Sequence, residues 1–153
     1  MNTPLIIKNT INIHAPAAKV WDALVNPAQT KKYMFGCETV SDWKPGSELL
    51  WKGVFNGVEI VAVKGAILEL QPEKRLVYTT IDPNGSYADV PENYLTVTYT
   101  LSENNGVTTF TVTQGDYSKV KEGQKRYEEA MAGGGWQSIL EEIKKLVEKG
   151  HVS

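Results

Sequence analysis

The sequence predicts an α+β fold, in which a curved antiparallel sheet of about six or seven strands wraps around a long C-terminal helical stretch. Two short helices follow the first strand. Three observations carry this reading. The middle of the chain is a series of β-branched runs separated by turn signals, of which Asn56-Gly57 is the strongest. Near the N-terminus a strand-like run passes through Pro16 into a short apolar-periodic stretch. From Trp136 to Glu148 an amphipathic pattern places Trp136, Ile139, Leu140, Ile143 and Val147 on one helical face. A sheet must bury one face, and the C-terminal helix is the element long enough to cover it. Such a grip leaves a pocket between helix and sheet unless large side chains fill it.

The elements follow in order. From Leu5 to His14 a strand has Ile7, Ile11 and Ile13 on one face, with Asn9 as a polar exception. Pro16 suits a first helical position, and Ala17, Val20, Trp21 and Leu24 form the apolar face that follows. Asn26-Pro27 ends this helix, because a residue before proline resists the α conformation. A second short helix runs from about Pro27 to Tyr33 and leads into Met34, Phe35 and Gly36. Strands are predicted over 39–43, 48–55, 58–70, 75–81, 94–101 and 107–114. Gly65 inside the long third run suggests a bulge or sharp bend. Residues 82–93 hold Pro83, Asn84, Gly85 and Pro91 and read as a loop.

Gly133, Gly134 and Gly135 interrupt the last helical stretch, each costing about 1 kcal/mol against alanine inside a helix. A thin backbone is where another backbone or a ligand comes close. Tyr127 and Met131 fall opposite Trp136 and Leu140 at about 100° per residue. Two readings follow. In one, the glycines break or kink the helix and both apolar stripes face the core. In the other, the helix runs on, Ala132, Gly133 and Gly135 line its inner face, and Tyr127 and Met131 point outward. A plain linker between two helices is the third.

The 153 residues fit one domain, 1–153. A net charge of −2 with scattered lysines argues against a nucleic-acid footprint. The single cysteine, Cys37, cannot form an internal disulfide, and together with an N-terminus lacking a signal-peptide pattern it points to the cytoplasm. No apolar run reaches the roughly 18 to 20 residues that membrane insertion needs.

The catalytic inventory is thin. His14, His151 and Cys37 are too dispersed for a metal site, and Cys37 reads as a half-buried small hydrophobe. There is no nucleophile elbow, phosphate loop or dinucleotide fingerprint, so neither metal nor cofactor is expected. Polar residues in apolar strand stretches are more informative: Asn9, Glu59, Glu69 and Gln114. Glu69 is expected to point outward. Gln114 either points into a pocket with Phe110 and Val112 or simply ends its strand. Tyr33, Phe35, Trp51, Phe55, Tyr78, Tyr94, Tyr127 and Trp136 are aromatic candidates for the inner side. The expected cavity is lined by Trp51, Tyr78, Tyr94, Gln114, Met131, Gly133 and Trp136, an apolar surface with a few polar tips.

Three segments carry a resemblance. Residues 13–24 (IHAPAAKVWDAL) resemble the opening of the START-like, or SRPBCC, superfamily. Residues 65–78 (GAILELQPEKRLVY) resemble its bulged strand, proline turn and following strand. Residues 135–148 (GWQSILEEIKKLVE) resemble the C-terminal helix of one branch, related to the C-terminal domain of the activator of the heat-shock protein 90 ATPase. The resemblance implies a helix-grip fold with an internal cavity, often for a hydrophobic or amphipathic molecule, and it carries over no universal catalytic residue. Three functions follow as expectations. The leading one is a non-enzymatic binder of a small apolar or aromatic ligand. The second is a module that partners a chaperone, implied by the resemblance alone. The third is an enzyme of the cyclase or dehydratase type, with Glu59 or Tyr78 as the positioned acid or base.

Overall fold

The computed structural model describes residues 4–34, 36–83 and 88–151. Phe35, Asn84 and Gly85, all named above, lie outside them. Seven strands form one antiparallel sheet in the order β1-β7-β6-β5-β4-β3-β2. They are β1 (Ile7–Ile13), β2 (Glu38–Ser41), β3 (Glu48–Phe55), β4 (Val58–Gln71), β5 (Arg75–Thr80), β6 (Leu95–Asn104) and β7 (Val107–Gly115). Helices α1 (Ala17–Val25) and α2 (Pro27–Tyr33) follow β1, and α3 (Gly123–Ala132) and α4 (Gln137–His151) close the described chain. The fold is the α+β helix grip that the sequence predicts.

Local chemistry explains the joints. Asn56 and Gly57 take φ of 54° and 78°, and Asn105 and Gly106 take 53° and 79°, the paired left-handed values of a two-residue hairpin turn. Asn26 ends α1, and its side-chain oxygen then accepts from the Ala28 N–H to cap α2. Pro16 sits one residue before α1 rather than inside it, and the Glu103 carboxylate from β6 accepts from the Ala17 N–H at 2.8 Å.

The long strand β4 carries two register shifts. Ala62 is the extra residue opposite Trp51 and Lys52, and Leu68 is the extra residue opposite Tyr78 and Val77. Bulges bend the bulged strand, so β4 turns the β2–β3–β4 portion of the sheet toward the helices. Leu68 is left exposed by its bulge, and Glu69 lies in an ion pair with Arg75 at 3.2 Å. Gly65, expected to mark a bulge or a sharp bend, is not the inserted residue of either bulge. A Cβ there would stand 1.6 Å from the Thr79 carbonyl oxygen, so glycine serves a close crossing of β5 over β4.

The core lies between the concave sheet face and α4. Leu140, Ile143 and Val147 are buried against Val20, Leu24, Tyr99 and Phe110, each contributing about 1.5–3 kcal/mol. Trp136 and Ile139 pack at the edge of this cluster. The three glycines break the helix: α3 stops at Ala132 and α4 starts at Gln137. Helix α3 packs on the short turn at Tyr117–Lys119, and the Tyr127 ring meets Tyr117 at 5.7 Å. Tyr127 thus faces inward, into a small cluster with Ile7 and Leu95, while Met131 is 48% exposed.

Candidate ligand cavity

Strand pairing sets the floor of a cavity. Ile67 pairs with Tyr78, Tyr78 with Val97, Val97 with Gln114, and Gln114 with Ile7. These residues form one row across five strands. Four of them, Tyr78, Val97, Gln114 and Ile7, line a cavity of about 300 Å³ between sheet and helices. The remaining walls are Trp51 from β3, Ala62 and Val63 from β4, Thr80 at the end of β5, Met34 and Cys37 after α2, and Ala130, Gly135, Trp136 and Ile139 from the α3–α4 region. The Ala62 bulge therefore faces the cavity. Its volume sits at the lower end of the usual range for small-molecule sites.

Trp136 ties the roof to the floor. Its indole Nε1–H donates to Gln114 Oε1 at 2.9 Å, and its backbone N–H donates to Asn9 Oδ1 at 3.0 Å. Its ring meets Tyr99 edge-on at 5.9 Å, and Tyr99 in turn meets Phe110 at 5.4 Å and Tyr78 at 5.3 Å. Gly135 lets this happen. It has φ of 64°, and a Cβ there would stand 2.8 Å from Asn9 Oδ1 and 2.9 Å from Ile7 Cγ2. The thin backbone is thus an approach of the α4 entrance to β1.

The polar groups are neutral. The Tyr78 and Tyr99 hydroxyls share a hydrogen bond of 2.6 Å. Burial, followed by the neighbouring tyrosine Tyr99, pushes the Tyr33 and Tyr78 hydroxyls well above the ordinary phenol range, and burial does the same to Tyr99. Burial pushes the Cys37 thiol up as well. Cys37 is 3% exposed, more buried than its expected half-burial, with its sulfur close against Gly53. Among the described lining residues there is no Asp, Glu, His, Lys or Arg.

Of the residues expected to line the cavity, the fold brings together Trp51, Tyr78, Gln114 and Trp136. Three others lie elsewhere. Tyr94 immediately precedes β6, where Leu95, Val97 and Tyr99 point inward, so strand alternation turns it away. Its hydroxyl donates to Asp89 Oδ1 at 2.5 Å, and Asp89 also pairs with Lys64. These bonds, that of Lys64 first, hold the Asp89 carboxyl below its usual range. Met131 is displaced because Ala130, about 100° round the helix, takes the inner position. Gly133 caps the end of α3 with nothing nearer than 3.6 Å to an added Cβ, and Gly135 takes the cavity position instead. Glu59 is exposed and outside the lining, which leaves the enzyme expectation without its carboxylate. Among the described residues no cluster of three or more His, Cys, Asp or Glu is placed to hold a metal ion.

Sequence reasoning missed Ala62, Ala130 and Thr80. Nothing local distinguishes them, because a bulge register and a helix break decide where they point. Asn9 was legible as a polar residue on an apolar strand face, though its partner was not.

Comparison with known proteins places this geometry. The family described as "Activator of Hsp90 ATPase homolog 1-like protein" matches residues 14–148. A protein from Cytophaga hutchinsonii with a solution structure is 37% identical, with all of both chains covered and a TM-score of 0.76. A crystal structure of a Nitrosomonas europaea protein has the same coverage and TM-score at 22% identity, and so shares the fold. An HSP90 activator from Plasmodium falciparum aligns over 72% of each chain at 17% identity with a TM-score of 0.58. No curated protein sequence matches. Among the described residues no helix is long and apolar enough to cross a membrane.

Proposed function

The chain belongs to the Activator of Hsp90 ATPase homolog 1-like family, and from that premise we propose that it is a binding protein for a small apolar or aromatic molecule. The reading treats residues 1–153 as one helix-grip domain working in the cytoplasm, where a lone buried thiol such as Cys37 stays reduced. The observation that carries it is the charge-free cavity of about 300 Å³ walled by Trp51, Tyr78, Gln114 and Trp136. Aromatic walls supply burial, and a few fixed polar groups supply orientation. Binding is favoured over catalysis because the described lining offers no ionised acid or base to move a proton.

A thermal-shift screen against lipids and aromatic metabolites tests this. A ligand at about 100 times its Kd adds roughly 2.7 kcal/mol of stability, a readily measured rise in Tm. Quenching of Trp51 and Trp136 fluorescence should accompany the shift. Ala62→Phe and Ala130→Phe fill the cavity from opposite walls and should abolish the response while the protein stays folded. No Tm rise for any compound in a broad screen sinks the reading.

Family membership favours a second reading, an interaction with a heat-shock protein 90 chaperone, since an HSP90 activator from Plasmodium falciparum shares the fold. Pull-down with the cognate chaperone decides it, and no association at micromolar concentrations removes it.

A further inference from the structure

We propose that the occupant of the cavity is a neutral apolar molecule presenting a carbonyl oxygen to the Gln114 amide, an inference that rests on the binding reading above. The hydrogen-bonding groups around Trp136 point to it. Trp136 Nε1–H can only donate, so the atom of Gln114 that faces it must be the carbonyl oxygen. The Gln114 Nε2 group therefore turns away from Trp136, and its two hydrogens have no partner among the described residues. Gln114 lines the cavity, where those donors meet whatever fills it.

Gln114 pairs with Val97, which lines the cavity and offers only carbon beside the amide. A carbonyl oxygen has two lone pairs and no hydrogen, which matches an amide group that presents only donors. A carboxylate would enter without a cation to offset its lost hydration, and an ammonium would find no anion.

A matched series tests the inference: benzophenone, diphenylmethane and diphenylacetate, measured by fluorescence titration of the purified full chain. Benzophenone should bind about tenfold tighter than diphenylmethane, and diphenylacetate at least about a hundredfold weaker than benzophenone. In Gln114→Met/Trp136→Phe, which removes both partners of the indole bond, the ketone preference, taken as the ratio of the two affinities within the variant, should fall close to one. Equal binding of ketone and hydrocarbon by the unmodified protein overturns the inference and leaves the binding reading standing. So does a preference that survives the double variant. Binding of none of the three overturns the inference, while a Tm rise with other compounds of the broad screen leaves the binding reading standing.

Discussion

The Asn9 side chain in β1 accepts a hydrogen bond from the Trp136 backbone N–H at 3.0 Å, at the entrance to α4 and 127 residues along the chain. The first N–H groups of a helix have no partner within the helix, and a side-chain oxygen just outside satisfies one of them. A polar residue in an apolar strand thus caps the helix that covers the sheet. Asn9→Ala should cost about 1 kcal/mol, lowering Tm by roughly 2–4 °C in a chain of this size. Asn9→Asp keeps the acceptor and should retain most of that stability. An unchanged denaturation midpoint in Asn9→Ala would remove the cap from the account of the fold.

The three adjacent glycines should respond differently to alanine. Gly135 has φ of 64°, and a Cβ there would press on Asn9 Oδ1 and Ile7 Cγ2, so Gly135→Ala should cost about 2 kcal/mol or more. Gly134 has φ of 85° with open space around it, so Gly134→Ala should cost only about 1 kcal/mol of backbone strain. Gly133 lies at φ of −86° with room for a methyl group, so its alanine variant should stay within about 0.5 kcal/mol of the parent. Equal effects at Gly133 and Gly135, measured by urea unfolding, would contradict this order.

Stability should fall at both ends of the pH scale. The Glu148 carboxylate accepts from the His14 backbone N–H at 2.8 Å and pairs with Lys144, and these contacts hold its carboxyl below the ordinary value of 4.5. A group with a depressed folded pKa stabilises above its unfolded value, and that stability is lost as pH falls through the folded one. Thermal melts should therefore drop below about pH 4.5, and Glu148→Gln should flatten the decline. Tyr33, Tyr78 and Tyr99 are held above 10.0 by burial, so their stabilisation is present below pH 10 and lost above it. Tyrosinate absorbance should show them ionising only as the protein unfolds in alkali. Early titration of all seven tyrosines in a still-folded chain would show that the buried trio is open to water.

Patterns of short range determined much of this protein. Alternation in 95–101 placed Leu95, Val97, Tyr99 and Leu101 inside, and the Asn-Gly pairs placed two hairpins, because strand period and turn dihedrals are local properties. The apolar face of α4 was equally legible from Leu140, Ile143 and Val147. Trp51, Tyr78, Gln114 and Trp136 could be chosen as cavity residues because large or polar side chains on inward faces stand out.

Only the tertiary structure decided the rest. Whether Gly133–Gly135 break the helix depends on how closely Gly135 meets β1, a contact across more than a hundred residues. That break sends Met131 outward and puts Ala130 in the wall. The bulge at Ala62 is a mismatch in pairing with β3, and a mismatch belongs to two strands rather than to either one. Gln114 could be an end-of-strand residue or a cavity group by pattern alone. Its bond to the Trp136 indole, which orients its amide, exists only once helix and sheet have met.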